Sequence, residues 1–500
     1  MMDQKFIEEF RKKAEEGLKL WDTSSVAVGV IHNGEVVLCE GYGSRDTAQG
    51  LAADGQTMYQ IGSCSKAFTA ALVAIMVDQG KLAWDTPIRK YVPEVELYDG
   101  FASENCTLRD LLSHRTGIPR HEYSWYGTDF TRKELVQHLR YLEPNQPFRT
   151  KFQYNNYGYI LAGYIVEKVT GKTYEECLEE YLFRPLGMKR TNCWIDDIEN
   201  DSNHATPYDR PEGGDGMHGL KEIPFYHTSI EDKSKGIGAP FAAAGAINSC
   251  PQDMLRWVQF HLNNGELDGQ RLISEASMQE LHKPNMLLSS PLDMPMKETE
   301  FWTYSMGWMV EMFRGHKIIH HGGNINGFSA FTSFVPDLNL GVVAYTNQNS
   351  SFLHYALSRT VIDHYLGVED GGWVQRYYDF AAENHASLDQ LILRFTGEQV
   401  PNTTPSHPLK EYEGRYSRPG YTDCVVREEN GTLTMEFIHT LIHLKHYHYD
   451  TFVTDGIVGE LPPGMPAHFH TAEVGGQVDA VLMPLVTEAG GKLVRFEKQN

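Results

Sequence analysis

Ser63 and Lys66 stand three residues apart in Ile61-Gly62-Ser63-Cys64-Ser65-Lys66-Ala67-Phe68. One turn of helix brings a hydroxyl and an amine at that spacing together. A serine hydroxyl is a weak nucleophile at neutral pH and needs a neighbouring base to take its proton during attack. Lysine can be that base if it is neutral, and burial or nearby positive charge lowers its pKa. A helix N-terminus adds a positive dipole end that favours negative charge developing on Ser63. Serine is also a common helix cap, so the pair alone leaves a structural serine open. Cys64, between them, reads as a buried structural thiol.

Two further stretches carry chemistry. In Phe152-Gln153-Tyr154-Asn155-Asn156-Tyr157, Tyr154 and Asn156 sit two apart on a loop before a helix. A tyrosine there can relay a proton, with cations nearby lowering its pKa, and an amide can hold a substrate carbonyl while bonding a lysine. Packing is the alternative for so aromatic a stretch. In His321-Gly322-Gly323-Asn324 the glycines let a substrate approach the backbone, whose N–H groups can complete an oxyanion hole with that of Ser63. His114 is either catalytic or, more commonly for a histidine at a helix end, a tie between loop and helix.

These residues need a framework. Phe68, Ala71, Leu72, Ile75 and Met76 recur at helical spacing after Ser63, and Gly80 is a stop signal. Helices are also predicted over about 3–20, 107–117, 157–170, 251–263 and 352–365. Val26-Ala27-Val28-Gly29-Val30-Ile31 and Val36-Val37-Leu38-Cys39 flank Asn33-Gly34, a hairpin signal. Strands follow at 304–310, 317–321, 329–335 and 341–346. The segment from Asn192 to Gly238, with Arg210-Pro211-Glu212-Gly213-Gly214 at its centre, is rich in turn residues and reads as an irregular lid or rim.

At 500 residues the chain exceeds one core, and two domains are expected. Its 44 basic and 66 acidic side chains leave a formal charge of -22, which repels phosphate backbones and anionic membranes and excludes nucleic acid as a partner. No apolar run has signal-peptide or transmembrane character, and the seven scattered cysteines form neither ligand pairs nor an even disulfide framework. A cytoplasmic location is the expectation.

Taken together, Ser63-Cys64-Ser65-Lys66, Tyr154-Asn155-Asn156 and His321-Gly322-Gly323 resemble, in order and spacing, the three active-site motifs of serine β-lactamases and DD-peptidases, most closely the class C-like, CubicO-type branch. Leu111-Leu112-Ser113-His114-Arg115-Thr116-Gly117 and Ala244-Gly245-Ala246 share the likeness, which covers about 20–365. It implies an α+β fold, with an antiparallel sheet flanked by helices plus an all-helical subdomain. It also implies roles: Ser63 as nucleophile, Lys66 as base, Tyr154 as acid/base partner, Asn156 holding the acyl side. His321 and Gly323 would border the substrate, and the N–H groups of Ser63 and Asn324 would be the oxyanion donors. The spacing of His321 to Gly327 selects it over His320. β-Lactamases usually have lysine at this position, and histidine carries far less charge at neutral pH.

Residues 1–368 are therefore expected to be the hydrolase domain and 369–408 a connecting helix and linker. The short alternating strands of 409–500 resemble a small lipocalin-like antiparallel barrel appended to some of these enzymes. Its histidines include His446 and His448, which would share a strand face, but no accompanying motif calls for a metal. The expected activity is hydrolysis of ester or amide/peptide bonds in small molecules or short peptides through an acyl-enzyme, by an esterase or D-amino-acid-type peptidase without cofactor. The alternative is a slowly deacylating, penicillin-binding-type sensor. Self-association stays open.

Overall fold

The computed structural model describes residues 4–211, 214–291, 294–455, 464–486 and 491–499, without the side chains of 384–392. Glu212 and Gly213 of the lid thus lie outside the described residues. Within them, nine strands form one antiparallel sheet in the order Met286–Leu287, Thr299–Tyr304, Met309–Phe313, His316–Ile325, Phe328–Val335, Leu340–Thr346, Ser25–His32, Glu35–Asp46 and Leu51–Ala52. The first strand in sequence lies inside the sheet, with Val28 opposite Ala344 on one side and Glu40 on the other. Asn33 and Gly34 both take positive φ, 52° and 82°, as the hairpin signal requires.

Both faces of the sheet are covered, which is why its central strands read as continuous apolar runs. Alternate residues Val26, Val28, Val30, Val342 and Ala344 pack against the N-terminal helix Gln4–Trp21 and the helix Leu353–Tyr365. Ala27, Ile31, Val343 and Tyr345 face the opposite core, with Phe68, Leu72 and Trp257. There the helix Ser65–Asp78 lies between the sheet and a helical layer that includes Tyr157–Thr170 and Arg132–His138. From Ser65 to Met76 every residue of that central helix is buried.

The structure revises three local readings. Tyr304 to Val310 is not one strand: Ser305 to Trp308 is a turn, closed by Ser305 N–H donating to Trp308 O at 2.8 Å, with Gly307 at φ 80°. Its apolar residues concealed the turn, because Met306 and Trp308 are buried against the helix behind it. The second strand of the first hairpin runs on to Asp46. The lid region contains the helix Ile195–Glu199 and the paired strands Tyr208–Asp209 and Lys221–Glu222.

Beyond the connecting helix Trp373–Thr396, eight strands from Gly414–Ser417 to Lys492–Lys498 close into a barrel, with Tyr416 paired to Lys498. All seven cysteines are unpaired thiols. Among the described residues no helix is long and apolar enough to cross a membrane.

Candidate active site

Ser63 lies in a 3-10 turn, Gly62–Cys64, that feeds directly into the helix Ser65–Asp78. Gly62 has φ 49°, and a side chain on it would meet the backbone N of Asn324 at 2.8 Å. A side chain on Gly323 would lie 2.0 Å from Ile61 O and 2.9 Å from Ser63 N. Two glycines thus let the strand His316–Ile325 pass against the serine turn and bring the Ser63 and Asn324 backbones to one cleft. The Asn324 side chain is used elsewhere, donating to Phe328 O and Ser329 Oγ.

The Lys66 side chain is fully buried, and its Nζ lies within hydrogen-bond reach of three oxygens: Ser63 Oγ at 2.9 Å, Asn156 Oδ1 at 2.7 Å and Ala244 O at 2.8 Å. Burial, then the positive charge of Arg120, holds its pKa well below the usual lysine range. A neutral amine has two N–H donors and one lone pair. Asn156 Oδ1 and the Ala244 carbonyl can only accept, so the lone pair falls to Ser63, whose hydroxyl can turn and donate. That is the arrangement of a general base.

Tyr154 O–H donates to Ser63 Oγ at 2.9 Å. Burial raises its pKa above the usual phenol range, with Arg120 opposing. The expected lowering by cations is therefore outweighed by desolvation, and resting Tyr154 is a phenol ready to give a proton. Behind it stands His114, at φ 56°, its ring 4.3 Å from the Tyr154 ring. His114 Nδ1 accepts from Asn155 N–H and its carbonyl from Gln153 N–H, the tie between loop and helix end.

His321 is 2 % exposed. Its Nδ1 faces Gly322 O at 2.6 Å and so carries the proton, leaving Nε2 to accept the Tyr304 hydroxyl at 2.9 Å. Burial and the proximity of Lys66 push its pKa down to about 3. The position that usually bears a lysine cation is here a neutral ring with its N–H already spent. Cys64 Sγ bonds His321 O at 3.2 Å, and burial raises its pKa to about 12, the behaviour of a packed thiol.

Several residues of the site lack a sequence signal. Glu122 accepts from Asn156 Nδ2 at 3.2 Å, turning the amide so that its oxygen meets Lys66. Arg120 pairs with Glu122 at 3.0 Å and lies 4.6 Å over the Tyr154 ring. Ser63, Arg120 and Asn324 border both limbs of the cleft. One, of ≈ 320 Å³, runs past Asn156 between Trp125, Tyr126 and Phe241. The other, of ≈ 400 Å³, runs past Tyr154 and His321.

Arg120 yields a pH prediction. With neutral Lys66 acting as the base, kcat/KM is expected to fall as pH falls through its pKa. Arg120→Gln removes a charge that disfavours the ammonium and should move this acid limb up by about one pH unit. Glu122→Gln should move it down. The pH dependence of p-nitrophenyl acetate hydrolysis reads both, and limbs that do not separate would refute the base assignment.

His446 and His448 are separated by a register shift, His446 bonding Tyr449 O and His448 bonding Val400 N. Among the described residues the group whose ligand atoms converge is Asp196, Glu199 and His227, on the lid side.

Residues 398–498 match a domain of unknown function, DUF3471. The chain is 30% identical over 442 residues to the unguisins hydrolase ungD of Aspergillus violaceofuscus, covering 83% of this chain and 75% of that one. Among solved structures, the octameric penicillin-binding protein homologue from Pyrococcus abyssi superposes with TM-score 0.63 at 21% identity over 98% of this chain and 100% of that one. A D-amino acid amidase from Ochrobactrum anthropi SV3 superposes with TM-score 0.57 at 21% identity over 73% and 98%. Residues 10–365 match the Beta-lactamase family, and the chain belongs to that family.

Proposed function

We propose that the protein is a serine hydrolase of the class C-like, CubicO-type branch, acting through an acyl-enzyme on ester or amide/peptide bonds of small substrates. The observation that carries this is the buried Lys66 amine, two of whose three partners can only accept, leaving its lone pair for Ser63. Ser63 Oγ attacks the carbonyl carbon as Lys66 takes its proton. The negative charge passes to the carbonyl oxygen between the N–H groups of Ser63 and Asn324, beside Gly323. As the tetrahedral intermediate collapses, Tyr154 protonates the leaving amine or alkoxide and recovers a proton from Lys66. Water then attacks the ester with Lys66 again as base, and Ser63 leaves reprotonated. No step needs a metal or cofactor.

The leaving group occupies the limb beside Tyr154, and the acyl group the limb beside Asn156. Because His321 is neutral, the cleft lacks the cation at that position which would anchor a β-lactam carboxylate. Glu122 lines the acyl limb, the name of the unguisins hydrolase supports hydrolysis, and that of the D-amino acid amidase supports an aminoacyl group. A panel of p-nitrophenyl esters, D- and L-aminoacyl anilides and a chromogenic cephalosporin tests the reading. Esters and aminoacyl anilides are expected to exceed the cephalosporin in kcat/KM by at least about tenfold. A cephalosporin at the top of the series overturns the substrate class, and a persistent acyl adduct without turnover identifies a sensor instead.

A further inference from the structure

The acyl limb is built by both parts of the chain. Leu485, from the barrel strand Val478–Val486, lines it together with Trp125, Tyr126 and Phe241 of the hydrolase part. Leu485 is 3 % exposed, although it lies more than four hundred residues from Ser63 in sequence.

The barrel is held in this position by contacts with the loop that lines the limb. Tyr421 donates to His121 Nδ1 at 2.6 Å, while His121 Nε2–H is spent on Glu143 O at 3.1 Å. Burial pushes the His121 pKa down to about 4, so this bond does not titrate near neutrality. Ile438 packs against Gly127, where a side chain would come within 2.8 Å of its Cγ2. His439 Nε2 pairs with Asp129 at 2.8 Å. The serine turn and part of the wall of the limb beside it therefore come from different parts of the chain.

We infer that Leu485 closes the acyl limb and limits the length of the apolar acyl group the enzyme accepts. This rests on the acyl-enzyme reading above. An apolar chain or aromatic side chain entering past Asn156 runs between Trp125 and Phe241 and ends on the Leu485 methyls. Shortening residue 485 opens space continuous with the limb, and enlarging it fills the limb.

The test is the ratio of kcat/KM for p-nitrophenyl octanoate to that for p-nitrophenyl acetate in full-length protein. Leu485→Ala is expected to raise the ratio by about tenfold, and Leu485→Trp to lower it by a similar factor. Opposite signs from one position cannot arise from general destabilisation. Tyr421→Phe, which loosens the docked barrel without touching the limb, should shift the ratio in the direction of Leu485→Ala by a smaller factor. Ratios that stay within twofold of wild type in both Leu485 variants overturn the inference. Wild-type acetate hydrolysis that persists in Ser63→Ala overturns the acyl-enzyme reading instead, so the two failures are distinguishable.

Discussion

Ser63→Ala is expected to lower ester hydrolysis by about 10⁴- to 10⁶-fold and to abolish labelling by a fluorophosphonate. The reason is structural as well as chemical. Ser63 Oγ receives the Tyr154 hydroxyl and faces the Lys66 amine, so its removal disconnects both proton-transfer groups from the substrate at once. Residues that act as one unit have non-additive losses. Lys66→Met should therefore cost about 10²- to 10⁴-fold alone and little more in combination with Ser63→Ala. Intact-protein mass spectrometry is expected to show a single adduct on the wild type and none on the variant. An adduct of equal stoichiometry on Ser63→Ala, at another serine, would falsify the nucleophile assignment.

Glu311→Ala is expected to destabilise the fold by about 3–5 kcal/mol. Glu311 lies in the strand Met309–Phe313 and Arg359 in the helix Leu353–Tyr365, and their ion pair, 2.5 Å between Arg359 Nη2 and Glu311 Oε1, is wholly enclosed. Thr299 Oγ1 donates to the other carboxylate oxygen at 3.0 Å. Truncating the glutamate removes from a low-dielectric interior the carboxylate that faces both the Arg359 guanidinium and, at 3.4 Å, His320. Glu311→Met combined with Arg359→Met removes both charges and should recover most of the loss. Urea midpoints of the wild type and the two variants check this; a double variant no better than Glu311→Ala contradicts it. Since His320 adjoins His321 on one strand, Glu311→Ala should also perturb the cleft, visible as a higher KM.

What could be read from the chain was local. The Ser63 and Lys66 spacing needs only one turn of backbone, and Asn33-Gly34 needs only positive φ at two residues, so both are written in short stretches. Tyr154 and Asn156, by their place before a helix, leave packing open, and only the resemblance of Tyr154-Asn155-Asn156 to a family motif gives them roles. Glu122 and Arg120 were not recognisable, since a charged pair in a loop has no periodicity. Tyr304 was absorbed into a longer apolar run whose turn is concealed by buried Met306 and Trp308.

Sequence by itself determined which residue types meet within a helical turn or a hairpin, the mixed helix and sheet composition, and the barrel pattern that ends the chain. Each follows from local backbone geometry and from the period of apolar residues, which neighbours along the chain decide. Only the tertiary structure decided protonation and pocket shape. Desolvation sums over everything packed around a group: burial, then Arg120, holds the Lys66 pKa well below the usual lysine range, and burial, then Lys66, pushes that of His321 down to about 3. Leu485 reaches the acyl limb because a barrel built from the last strands docks on the loop around His121, a contact between residues three hundred apart that no local pattern encodes.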